Sequence, residues 1–153
     1  LARKYSVSSG LTSLAASTTK VACQIATGST VTATVLGFDI AFDSTATGAG
    51  AVPIQVQLAR PTAAGSGGST QTPAKFNNDD IAAVVTGRKN DTTAGASPTV
   101  IKEWLVSPTT GFSYQFPLGR ELVLAESDFL ELKLISQSGM TTCNYVGNID
   151  FEE

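Results

Sequence analysis

The chain has 153 residues, the length of one ordinary domain, with a formal net charge of −3, only 15% charged residues and no histidine. A chain this long buries enough surface to fold without a disulfide or metal staple. Its basic residues are scattered (Arg3-Lys4, Arg60, Arg88-Lys89, Arg120), which excludes general nucleic-acid binding, because that needs clustered cations.

Residues 1–17 read as an N-terminal arm ahead of a domain over 18–153. Within it Arg3, Lys4 and Tyr5 are the candidate partner-contact residues: an aromatic beside two cations, before the first clear alternation. No basic-then-apolar leader opens the chain, which leaves export open.

From residue 19 onward, apolar side chains recur at every second position, the mark of half-buried strands. Val21, Cys23 and Ile25 share a face opposite Lys20 and Gln24. In 31–42 the apolar set is Val31, Ala33 and Val35, then Leu36, Phe38, Ile40 and Phe42; the change of parity at Leu36-Gly37 predicts a β-bulge. Val52, Ile54, Val56 and Leu58 alternate with Pro53, Gln55 and Gln57. Pro53 donates no ladder hydrogen bond, so that strand begins there or lies at an edge.

The Gly/Ser-rich stretch 61–73 predicts a long flexible loop. Asn77 to Asp80 carries turn chemistry. Segment 79–88 is compatible with a short helix, capped by Asp79 or Asp80 and ended by Gly87. A strand with less regular parity follows around Trp104 over 99–107. The alternation is clean again for Phe112, Tyr114 and Phe116, for Leu130, Leu132 and Leu134, and for Cys143, Tyr145, Ile149 and Phe151. Eight to ten strands with no repeat or interdomain linker predict one all-β domain, an antiparallel β-sandwich of jelly-roll-like type. No run approaches the roughly 18 apolar residues of a membrane-spanning helix.

Chemistry is sparse. Without histidine there is no Ser-His-Asp or Cys-His nucleophile system and no imidazole metal ligand. Cys23 and Cys143 are too few for a thiolate zinc site. Bridged, they would close a loop over most of the chain, but no cysteine framework is present and two buried free thiols are the preferred reading. The glycines at 65, 67 and 68 lack the Gly-Lys-Ser/Thr of a P-loop. Asp39, Glu131 and Asp150 fall on the polar faces of strands, where solvent exposure is the ordinary explanation, and Lys20 and Lys133 read as outward. Asp79-Asp80 could offer oxygens to calcium, but turn or helix capping explains them more simply. No catalytic, cofactor or metal residue is assigned, and a structural or binding role is expected. The rival classes are a glycan-binding module using exposed aromatics and an enzyme acting through carboxylates.

Three stretches, taken together, resemble a known group: Lys4-Tyr5-Ser6-Val7-Ser8-Ser9-Gly10-Leu11-Thr12, Phe116-Pro117-Leu118-Gly119-Arg120-Glu121 and Asn148-Ile149-Asp150-Phe151-Glu152-Glu153. They are similar to segments of small virion proteins of tailed bacteriophages, of the capsid decoration (cement) type. The resemblance implies a single jelly roll, made in the bacterial host cytoplasm, that binds the outside of the assembled head. It further implies a homotrimer whose other partner is the major capsid protein, with no cofactor, nucleic acid or membrane involved. A head-fibre base, a tail protein or a host- or glycan-binding module is the alternative virion role. The resemblance carries no residue-level site.

Overall fold

The computed structural model describes residues 2–153, and they form thirteen strands with a single 3-10 turn at Gly48–Gly50. In chain order the strands are β1 (Lys4–Ser8), β2 (Thr12–Leu14), β3 (Thr19–Ala26), β4 (Ala33–Phe42), β5 (Ile54–Arg60), β6 (Ser69–Gln71) and β7 (Ala74–Lys75). There follow β8 (Thr86–Asp91), β9 (Thr99–Val106), β10 (Gly111–Gln115), β11 (Leu122–Leu124), β12 (Phe129–Ile135) and β13 (Cys143–Glu152). Two antiparallel sheets pack as a β-sandwich. The front sheet runs β10-β4-β13-β1-β7, with β11 also beside β4 and β2 beside β13; the back sheet runs β6-β8-β3-β12-β5-β9.

The alternation explains why these segments pair as they do. On β13, Cys143, Tyr145, Ile149 and Phe151 are buried, while Asn144, Asn148 and Asp150 are half-buried on the other face. Opposite them on the back sheet, Leu130, Leu132 and Leu134 are fully buried, each contributing about 1.5–3 kcal/mol relative to exposure. Gly147 permits the sheets to approach: a Cβ there would lie 2.9 Å from Ile40 Cδ1 and 3.2 Å from Ala22 Cβ. The bulge at Leu36 is present. Phe151 pairs with Val35 and Asp150 with Gly37, so Leu36 is the extra residue.

The sandwich has two lateral edges. At one, β9 of the back sheet lies over β10 of the front sheet, joined by Trp104 and Phe112 with ring centroids 5.1 Å apart. At the other, β1 and β7 lie against β8 and β6; a Cβ on Gly87 would meet Val7 Cγ2 at 2.7 Å.

Several expectations are corrected. Thirteen strands replace eight to ten, because β2, β6, β7 and β11 are only two or three residues long. There is no free arm over 2–17: Lys4 to Ser8 pair in register with Glu152 to Asn148, and Thr12–Leu14 pairs with β13 as well. The 61–73 stretch is not one flexible loop. Ser66 bridges Thr93, and Ser69–Gln71 joins β8. Segment 79–88 is not helical. Its Val84 and Val85 amides donate to the Glu153 carboxylate at 2.9 and 3.0 Å, and from Thr86 on the chain is strand β8. On β3, Val21 does not share the Cys23 face. Lys133 pairs with Val21 and Leu132 with Cys23, so Ala22 is a bulge that reverses the parity.

Candidate functional site

The three arm residues end up in the sheet. Arg3 exchanges backbone hydrogen bonds with Glu153, each 3.1 Å. Lys4 faces solvent opposite Glu152. Tyr5 is fully buried, its ring 5.6 Å from Phe151, and its hydroxyl donates to the Ile81 carbonyl at 3.1 Å. Tyr5 therefore anchors a strand and offers no face to a partner.

The exposed large apolar side chains are concentrated at the two lateral edges. Of nine exposed large apolar side chains, Val100, Ile101, Leu105, Leu118 and Val123 lie at the β9/β10 edge, and Phe76, Ile81 and Val84 lie at the β1/β7 edge. The ninth, Leu11, sits in the turn between β1 and β2. Leu118 is 96% exposed and Leu105 72%, values that no contact within the chain accounts for.

At the first edge a row of aromatics closes the gap between the sheets. Trp104 lies 5.3 Å from Phe38 and 5.5 Å from Tyr114, and Tyr114 lies 5.1 Å from Phe116 in a T-shaped pair. Lys102 Nζ stands 5.3 Å over the Tyr114 ring. Trp104, Phe112, Tyr114 and Phe116 are half-buried and pack on one another and on the buried Phe38. Outside them, Gln55, Glu103, Trp104 and Leu105 line a groove of about 320 Å³. The Glu103 carboxylate is held by the side-chain amides of Gln55 at 2.8 Å and Gln57 at 3.0 Å.

At the second edge the 76–85 segment is tied down by the Tyr5 hydroxyl and the Glu153 carboxylate. Asn77 makes a turn by accepting from the Asp79 and Asp80 amides. Only Val85 of this segment enters the core, which leaves Phe76, Ile81 and Val84 outward.

The carboxylates are placed differently from their sequence pattern. Glu131 is wholly buried on the outer side of the back sheet. Its Oε2 accepts from the Gly95 amide at 3.0 Å and from Gln24 Nε2 at 3.4 Å, while Oε1 has no partner. Burial raises its pKa above the ordinary carboxylate value, against the opposing pull of the Gly95 hydrogen bond and Lys133. Asp91, also fully buried, accepts from Gly68 N at 3.0 Å and from Arg88 Nη2 at 2.7 Å. Lys133, on the same outer side, is buried too rather than solvent-exposed. Asp39 and Asp150 remain half-buried on the front sheet, Asp39 bound by Asn148 Nδ2 at 2.7 Å. Glu131 and Asp91 thus clasp two loops, 61–68 and 92–98, onto the back sheet. They do not face one another across an open cleft.

Cys23 and Cys143 are free and buried, and burial pushes both thiols up in pKa. Among the described residues, no group of three or more Cys, Asp or Glu side chains is placed to hold a metal ion.

No family model matches this chain, and neither a curated protein nor a solved structure does. The edge residues were missed in the sequence, yet one signal marked them. Val100-Ile101 and Trp104-Leu105 put apolar residues on both faces of β9, which a half-buried strand does not require.

Proposed function

We propose that this protein is a non-enzymatic structural component of a bacteriophage virion, a decoration protein that binds the outer surface of the head and stabilises it as a homotrimer. One observation carries the reading. Eight of the nine exposed large apolar side chains gather at two opposed edges of the sandwich, while its most deeply buried carboxylates, Glu131 and Asp91, are engaged in holding loops. A cementing protein works by adhesion between stiff bodies and needs no titrating group. Apolar edges on a β-sandwich supply the contact area, and the outer face of the front sheet adds polar side chains (Ser6, Asp39, Ser113, Asn148, Asp150). The resemblance of the 4–12, 116–121 and 148–153 segments to phage decoration proteins supports the same role.

The test is co-sedimentation of purified protein with phage heads that lack it. Saturable binding at a fixed ratio to the major capsid protein, with a higher disruption temperature of the decorated heads, is the expected result. Protein that stays in the supernatant at micromolar concentration would refute the role.

A further inference from the structure

We propose that Glu131 carries a proton on Oε1 and donates it to Gln57 Oε1 while the two loops roofing the back sheet are closed. Loss of that proton releases the loops. Such a latch operates whatever the protein binds.

Glu131 pairs with Ala59, and Gln57, two residues along β5, pairs with Lys133. Glu131 and Gln57 therefore stand diagonally on one face of neighbouring strands, a spacing that two long side chains bridge. Glu131 Oε1 and Gln57 Oε1 are the two side-chain oxygens, among the described residues, that are buried without a hydrogen-bond partner. The amide donors around them are already committed. Gln57 Nε2 donates to Glu103 Oε2 at 3.0 Å, and Gln24 Nε2 and the Gly95 amide both donate to Glu131 Oε2. Turning the Gln57 amide over only moves the fault, because its oxygen would then lie 3.0 Å from Glu103 Oε2. The cluster is one donor short, and a proton on Glu131 Oε1 supplies it.

The charges facing Glu131 do not remove that need. Lys133, on the same strand, attracts the carboxylate but forms no ion pair with it; among the described residues the ion pairs are Arg60–Asp128 and Arg88–Asp91. From β8, Asp91 disfavours ionisation, and Arg88 is taken up by Asp91 through Nε and Nη2. Glu103 on β9, opposite Gln57, has the same sign as Asp91. From β3 comes the neutral Gln24, and the roof loops 61–68 and 92–98 carry no titratable side chain. Burial also favours the neutral acid.

The same carboxyl group holds both loops. Its Oε2 takes the Gly95 amide of one, and Gln24, bound to Oε2, takes the Gly65 amide of the other on Oε1 at 3.3 Å. An ionised Glu131 leaves a charge under the roof that opening hydrates, so opening is coupled to proton release.

NMR on the wild-type protein tests the latch, with Glu131→Gln and Gln57→Leu alongside. The Glu131 carboxyl resonance should titrate above the ordinary value of about 4.3. The Gly95 and Gly65 amides should be less protected from hydrogen exchange than that of Leu132, the sign of opening without global unfolding. Corrected for the intrinsic pH dependence of exchange, their protection should fall about tenfold per pH unit from about 4.3 to the folded midpoint, then level off. In Glu131→Gln a permanent donor faces Gln57, so loop protection should not vary with pH. Gln57→Leu removes the acceptor and should lower the Glu131 midpoint by roughly half a pH unit to one.

Glu131 titrating at or below about 4.3 overturns the latch, and an ordered water in place of the proton would give that result. So do loop amides that exchange only with the core, pH-dependent loop protection in Glu131→Gln, or a midpoint unmoved or raised in Gln57→Leu. Wild type and Glu131→Gln decide the matter if Gln57→Leu fails to fold.

Discussion

Glu131 on β12 accepts the backbone amide of Gly95 at 3.0 Å, although the two belong to different layers of the molecule: a central strand and a loop laid over it. The loop can come this close because Gly95 has no side chain. A Cβ there would overlap the Ala63 carbonyl oxygen and the Pro61 ring.

Gly95→Ala should therefore destabilise the fold by about 3 kcal/mol, the upper part of the range for overpacking. The loss should appear in urea unfolding as a lower midpoint with an unchanged slope. A midpoint within error of wild type would show that the loop moves aside freely.

Glu131 also sets a pH dependence. Because burial holds its folded pKa above the unfolded value, the folded state binds that proton more tightly. Its favourable contribution is complete below the unfolded glutamate value of about 4.3 and is lost as pH rises through the raised folded value. In Glu131→Gln that proton is gone. Measured against this variant, wild-type stability should decline as pH is raised above the ordinary glutamate value of about 4.3. Parallel curves would contradict a buried, proton-sensitive carboxylate.

Residues before β2 should be indispensable. Tyr5→Ala removes a fully buried ring stacked on Phe151, at a cost of about 3–5 kcal/mol by analogy with other aromatic truncations in cores. Thermal unfolding followed by circular dichroism measures it. A near-zero change would show that the Tyr5 ring does not hold the fold together.

Trp104 is the only tryptophan, and it sits half-buried at the β9/β10 edge. If that edge is a contact, its emission should shift to shorter wavelength as copies associate, and Leu105→Asp should remove the concentration dependence. An emission maximum unchanged across the association range would place the contact elsewhere.

Most of the fold was legible because alternation on β4, β5, β12 and β13 states which face is buried, and even the Leu36 bulge left a change of parity. Glu131 misled because alternation reports only that a residue faces away from the core; the two loops that roof it come from 61–68 and 92–98, distant in sequence. Tyr5 misled for a related reason. Its strand has only five residues, and its burial depends on pairing with β13 at the far end of the chain. The apolar edges were hardest to see, since Leu105 and Leu118 look like core residues until the sheets are assembled around them.

The most direct measurement of the proposed decoration role is the position of the protein on intact phage particles, by cryo-electron microscopy. Density for a β-sandwich on the outer face of the head, repeated at fixed positions of the capsid lattice, is the predicted result. Its absence from the head, with the chain found only in the tail or not in the particle at all, would contradict the decoration role.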